Sequence, residues 1–379
     1  MTSEERKEIR YRNRKRIREE KKQNFLNNMP TYEEVFTFEH LYNSFQLCKK
    51  NVTWKPSIQI FQQNLTIELV KLLDELHSSR GFHTDGFIEF QICERGKMRN
   101  IKSVSIRERV VQRCFCDYYL IPLLTHNLIY DNGASLKNKG VTFTLDRLKK
   151  HLHNYYHKYN TNEGYILLYD FSNYFNSIDH EALYSKFDPL MLDEKCRKLF
   201  HHLVDAFGDV GLGLGSQVSQ VSAVAFPNKL DHYLQQYETS ESSARYMDDG
   251  YVIFHSKQDA ENCLIGFMKI LDEYKITINK KKVKIVSLKN YFIFLKKRFR
   301  LTETGAVIVK LSRNNVAKHK RRINKLINMT HENKLDIKDV ELAHKTWIGQ
   351  LKRYKNQKSI YDADKTISEK IKTEVQRNE

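Results

Sequence analysis

The stretch Arg245-Tyr246-Met247-Asp248-Asp249-Gly250-Tyr251-Val252-Ile253-Phe254 decides how this chain reads. Tyr, Val, Ile and Phe favour strands and Asp-Asp-Gly supplies a tight turn, so the segment predicts a β-hairpin. Two adjacent carboxylates at such a bend repel one another and persist where water or a cation relieves the repulsion. A bare Asp-Asp-Gly is ordinarily a solvated surface turn. Here a third carboxylate stands upstream. Asp170 closes the apolar run Tyr165-Ile166-Leu167-Leu168-Tyr169, where an unpartnered charge is costly. Carboxylates from neighbouring strands are what two metal ions ~3.5–4 Å apart need for phosphoryl transfer. A lone strand-end Asp otherwise reads as a helix cap, the reading we give Asp179 in Ser177-Ile178-Asp179-His180.

The charge balance points the same way. With 64 Lys+Arg against 46 Asp+Glu the net charge is +18, which implies a polyanionic partner: nucleic acid first, an acidic membrane surface second. No apolar run approaches the ~20 residues of a membrane span, and Tyr119 to Tyr130 is interrupted by Pro122 and His126. The first residues hold no apolar signal core, so a cytoplasmic protein is expected. The 6 cysteines form no Cys-x-x-Cys pair and read as reduced thiols; His151/His153 and His201/His202 lack partners at zinc spacing.

Residues 1–22 carry ten Lys/Arg and five Glu, and read as a solvated helix or arm able to grip phosphates. Amphipathic helices are expected over 40–80, short strands with a basic tip over 87–104, and a helix from Arg107 through Leu124. A strand over Ile166–Tyr169, a helix starting in Ile178–Phe187, a long helix over 216–237, the hairpin and a helix over 259–273 follow. Strand-helix-strand-strand-helix-strand is the order of a ferredoxin-like palm. From about residue 295 on the chain reads as basic helix.

The Tyr-Met-Asp-Asp string resembles the metal-binding turn of reverse transcriptases, and Asp170-Phe171-Ser172-Asn173-Tyr174-Phe175 resembles their first catalytic motif. The resemblance covers roughly residues 85 to 355. It implies an α+β right-hand polymerase: a basic extension (1–40), fingers (41–164), a ferredoxin-like palm (165–290), and a primer grip with a helical thumb (291–379). Two Mg²⁺ ions, with Mn²⁺ as substitute, would sit on Asp170, Asp248 and Asp249. Phe175 would be the steric gate against a ribose 2′-OH, with Phe171, Gly215 and Ser216 beside the nucleotide. Lys97 and Arg99 match the family's nucleotide-gripping residues, and Arg107-Glu108-Arg109-Val110-Val111-Gln112 resembles its Arg-Asp-Arg-x-x-Gln signature. Asn132-Gly133-Ala134-Ser135 matches a further fingers element less closely. Asn279-Lys280-Lys281-Lys282 resembles the motif whose lysine protonates pyrophosphate, and Phe292 to Phe299 the primer grip, with Lys296 and Lys297 toward the primer.

Gly211-Leu212-Gly213-Leu214-Gly215-Ser216-Gln217-Val218-Ser219-Gln220 is similar to the templating loop of bacterial reverse transcriptases of the group II intron lineage. There a Gln usually stands at Leu214 and a Pro after Ser219. Gly-x-x-x-Gly-x-x-x-Ser-Gln instead looks like the enzymes of diversity-generating retroelements and of bacterial antiviral defence. Arg109, Leu214, Ser219, Gln220, Tyr246 and Met247 would meet template or primer. The expected partners are a structured non-coding RNA as template, a primer of DNA, RNA 2′-OH or protein hydroxyl, and dNTPs. The oligomeric state stays open. Two other readings compete: a retroelement polymerase, and an RNA chaperone or maturase with little catalysis.

Overall fold

The computed structural model describes residues 2–94, 97–311, 313–351 and 358–378. The chain divides into two compact units: residues 1–144 with 167–284, and residues 145–166 with 285–379.

The first unit opens on helix α1, Ser3–Asn27, capped at Thr2 by a box in which Thr2 and Glu5 satisfy each other's backbone N–H. Helices Phe38–Cys48, Pro56–Gln63 and Leu65–His77 bury the apolar stripes that the sequence pattern predicts, among them Leu41, Phe45, Phe61, Leu69 and Leu72. Strands β1 (Ile88–Glu94) and β2 (Lys97–Ser103) pair antiparallel. The helix expected over 107–124 is present as Ile106–Phe115, a π-helical turn at Cys116–Leu120 and Ile121–Thr125, where Pro122 lies within the first two residues.

The palm strands are β3 (Tyr165–Asp170), β4 (Ser240–Tyr246), β5 (Asp249–Phe254) and β6 (Lys284–Ser287), in sheet order β4-β5-β3-β6. With helices between β3 and β4 and Lys257–Glu273 between β5 and β6, this is the ferredoxin-like order, and the fold is that of an α+β polymerase palm. β3 and β5 are buried on both faces, each along five consecutive residues. The long helix expected over 216–237 is two helices, Gln217–Ala225 and Asn228–Gln236. Pro227, which has no N–H to continue the first, breaks them.

In the second unit β7 (Phe292–Phe294), β8 (Lys297–Leu301) and β9 (Val307–Leu311) form an antiparallel sheet. These strands correct the expectation of helix from residue 295 onward. The basic residues hide an alternation in which Phe299 and Leu301 point inward. Helices Arg313–His331, Ile337–Gln350 and Lys358–Asn378 then pack around Ile323, Ile327, Val340, Ile367 and Ile371. His319 is stacked on Trp347 at 4.0 Å and bonded to His344 at 3.1 Å; His344 in turn reaches Asp364 at 3.0 Å. Among the described residues no helix is long and apolar enough to cross a membrane.

Candidate active site

The hairpin forms as expected, with a different turn. Tyr246 pairs with Asp249, so the two-residue loop is Met247-Asp248, and Met247 takes a left-handed φ of 58°. Gly250 is already in β5, where a Cβ would lie 2.1 Å from the Tyr169 ring. The glycine therefore serves close packing against β3 and not the turn. The Phe171 N–H donates to the Asp248 carbonyl at 3.1 Å, fastening the turn to the end of β3.

That fastening gathers the carboxylates. Asp170 is 3% exposed at the end of β3. Its carbonyl accepts from Asn279 N–H at 2.8 Å, and its carboxylate holds the Lys282 ammonium. Asp249 lies within hydrogen-bond reach of Asp170, and its carboxyl is pushed up to about 7 by burial, then by the charges of Asp248 and Asp170. Burial opposes the charge on Lys282, but the Asp170 hydrogen bond and the three carboxylates outweigh it and raise its pKa. The expected quartet Asp170, Asp248, Asp249 and Lys282 is thus brought together.

No three His, Cys, Asp or Glu side chains among the described residues are placed as a finished metal-ligand group. Lys282 takes one Asp170 oxygen, and Asp249 lies close enough to Asp170 and Asp248 for their charges to oppose its own. The donor chemistry nevertheless fits hard divalent cations: the ligands are oxygens only, and their mutual repulsion is what a cation removes.

Beneath the turn lies an ion pair that sequence reading missed. Arg245, 0% exposed, is bidentate to Asp231, 1% exposed, through Nε–Oδ1 and Nη2–Oδ2, both 2.7 Å. Its Nη1 donates to the Met247 carbonyl at 2.8 Å and Nη2 to the Val224 carbonyl at 2.7 Å. Burial opposes this charge, but Asp231 overcomes it and raises the guanidinium pKa. Asn132 Nδ2 donates to Asp231 and to the Val224 carbonyl, each at 3.5 Å, while Gly133 N–H donates to the Arg245 carbonyl at 3.0 Å. Arg245 thus holds the left-handed residue beside the aspartates.

The Gly211–Gln220 loop is stitched to the segment after β3. Gly211 N–H donates to the Ile178 carbonyl at 2.8 Å and Leu212 N–H to the Phe175 carbonyl at 2.6 Å. The buried His180 ring bonds the Gly211 carbonyl at 2.8 Å and Asp205 at 3.2 Å. Gly215, with φ +114°, lets the loop run close to β2, where a Cβ would lie 3.0 Å from the Lys102 carbonyl. Ser216 caps the following helix by accepting from Ser219 N–H at 3.2 Å and donates to Gln112 Oε1 at 3.0 Å, so its hydroxyl is spent on structure.

The remaining expected residues divide by exposure. Gly215 and Gln220 are exposed, and Leu214, Phe175, Tyr246 and Met247 are half-buried, all open to a ligand. Phe171 is 2% exposed, packed against Tyr169 and Tyr174; it contributes backbone and no nucleotide-facing ring. Ser219 is also buried. Arg109 spends its guanidinium on Ser103 at 2.6 Å and the Val104 carbonyl at 3.2 Å, bracing the base of the hairpin. Lys97 and Arg99 stand on β2, and their side chains lie outside the described residues. In the second unit Lys296 is exposed in the two-residue β7–β8 loop; Lys297 is half-buried, and burial lowers its pKa.

A ferredoxin-like palm with carboxylates on adjacent strands is the architecture of a template-directed polymerase. The family model described as reverse transcriptase (RNA-dependent DNA polymerase) matches residues 94–300, more than half of the 379-residue chain, and the chain belongs to that family. No curated protein matches it in sequence. Similar solved structures include apo telomerase from Candida tropicalis truncated from the C-terminal domain, at 14% identity and a TM-score of 0.47. That match covers 67% of this chain and 60% of the other, so the chain spans less than two thirds of it, too slight a likeness to carry an inference.

Proposed function

We propose that this chain is an RNA-directed DNA polymerase that extends a primer on an RNA template by nucleotidyl transfer at Asp170, Asp248 and Asp249. The observation that carries the reading is the clustering itself. A carboxyl raised to about 7 by burial and then by two neighbouring carboxylates stabilises nothing in a protein that only binds RNA. The three aspartates would hold two Mg²⁺ ions, with Mn²⁺ as substitute. When bound, such ions supply the positive charge that favours loss of the primer hydroxyl proton and departure of pyrophosphate. Lys282 balances the charge on Asp170, and its raised pKa makes it a charge partner before it is a proton donor. Phe175 would meet the sugar of the incoming dNTP, Leu214 and Gln220 the templating strand, and Lys296 and Lys297 the primer.

The chain's divisions are read as extension (1–40), fingers (41–164), palm (165–290) and thumb with primer grip (291–379). The biological reading is a bacterial antiviral-defence enzyme that copies a dedicated, structured non-coding RNA; support for it comes from the templating-loop pattern and the net charge of +18. The test is strand-resolved sequencing of DNA made from the native locus beside an Asp248→Asn/Asp249→Asn control. One abundant species absent from the control supports the reading. Unchanged DNA, or RNA binding that collapses in the control, sinks it.

A further inference from the structure

Helix α1 is segregated by charge, not by hydropathy. At 3.6 residues per turn, Lys7, Arg10, Arg14, Arg18 and Lys21 fall within a strip about 80° wide and about 21 Å long. No acid interrupts that strip. The acids lie on other faces, where two are neutralised within the helix: Arg12 bonds Glu8 at 2.5 Å, and Arg16 reaches Glu20 at 3.6 Å. Residues 2–24 are exposed throughout, and the helix enters the unit's core only through Leu26. The strip is therefore a row of cations along an exposed helix.

Three kinds of polyanion could meet such a row, and the helix discriminates among them. A membrane surface needs an apolar face to insert. Ile9 and Ile17 are isolated apolar residues two turns apart with no apolar neighbour between them, so α1 has no continuous apolar face. A single strand is gripped by stacking its bases on aromatic rings. Tyr11 is the one exposed ring between residues 2 and 24. A duplex offers phosphates at fixed positions along a rail, which a row of charges matches without base contacts.

We infer that α1 is a docking rail for duplex RNA, binding the stem of a structured RNA through phosphate contacts on the Lys7–Lys21 strip. The choice of RNA over DNA rests on the polymerase reading above; the charge geometry does not.

Two double variants of the full-length chain test this: Arg10→Gln/Arg14→Gln on the strip and Arg12→Gln/Arg16→Gln off it. They match in residue type, number and net charge. Binding is measured without nucleotide by fluorescence anisotropy over a salt series. The probes are an RNA hairpin with a long perfect stem, the DNA hairpin of the same sequence, oligo(U) and phosphatidylserine vesicles. Because no synthesis is involved, a failure here separates from a failure of the polymerase reading. The strip variant should lose about tenfold or more for the RNA hairpin, with a salt dependence shallower by roughly 2 in log–log slope, about 0.9 per lost contact. The off-strip variant should lose less than about threefold, although it also frees Glu8 and Glu20 to repel the ligand. Equal losses in both variants would mean bulk charge and overturn the rail. So would a loss confined to oligo(U), to vesicles or to the DNA hairpin; an equal loss for both hairpins is what phosphate contacts alone produce. Circular dichroism must show α1 helicity unchanged in both, as expected for exposed Gln replacements.

Discussion

Arg245→Met removes a wholly buried guanidinium and leaves the Asp231 carboxylate, itself 1% exposed, with Asn132 as its remaining side-chain partner. Four hydrogen bonds of 2.7–2.8 Å go with it. Stripping one partner from a buried pair costs about 3–5 kcal/mol, a large share of the ~5–15 kcal/mol that holds a domain folded. Urea denaturation should show that loss as a lower midpoint at unchanged slope. Asp231→Leu added to Arg245→Met removes the stranded charge, and the double variant should return to within about 1 kcal/mol of the parent. Primer extension should not return with it, because the Met247 carbonyl still lacks the donor that fixes the turn. Single-turnover incorporation by the double variant, measured where it is fully folded, separates the two effects. A cost below about 1 kcal/mol for Arg245→Met would refute the buried pair. Full extension by the stable double variant would refute its positioning role.

Three other expectations are independent of that pair. Gly211→Ala puts a Cβ 2.9 Å from the Asn176 carbonyl at a φ of +92°, so stability should fall by about 1–3 kcal/mol and kcat/KM for dNTP with it. In the β7–β8 loop, Leu295 and Lys296 both have positive φ, 44° and 65°, without glycine or asparagine. Lys296→Gly should raise stability by about 1 kcal/mol and weaken primer use, read as a higher KM for primer–template. His319 has its pKa lowered to about 4 by burial and then by His344 and Arg322. The unfolded imidazole takes up its proton first, near pH 6.5, so stability is full above that value and declines toward pH 4, by up to about 3 kcal/mol. The urea midpoint of His319→Phe should be flatter over that range.

How much was legible follows from how local each signal is. Asp170 and the Asp248-Asp249 turn were legible because a carboxylate at the end of an apolar strand contradicts its neighbours and because the strings around them resemble reverse transcriptase motifs. The order of palm elements came from periodicity alone. The turn's position did not: Asp-Asp-Gly suits a turn by composition, but the Tyr169 ring behind Gly250 fixes the register, and that contact joins two strands far apart in sequence. Pro227 was visible and could have divided the helix over 216–237. The Arg245–Asp231 pair could not be read, since Arg and Asp are ordinarily surface residues and no local pattern marks a buried pair between a helix and a strand. Phe171 and Ser216 carry family-like identities, yet their side chains serve the core and a helix cap.

The knot of Asn132, Asp231 and Arg245 bears on how the enzyme comes into being. Asn132 and Asp231 are 99 positions apart, and the turn they support lies farther along still. Contacts of that range form late, after the loop-closure entropy of the intervening chain has been overcome. A nascent chain that has emerged only through β3 exposes Asp170 without the hairpin that completes its site. The proposed catalytic turn can therefore close only after the chain has emerged past residue 249, late in the synthesis of the first unit.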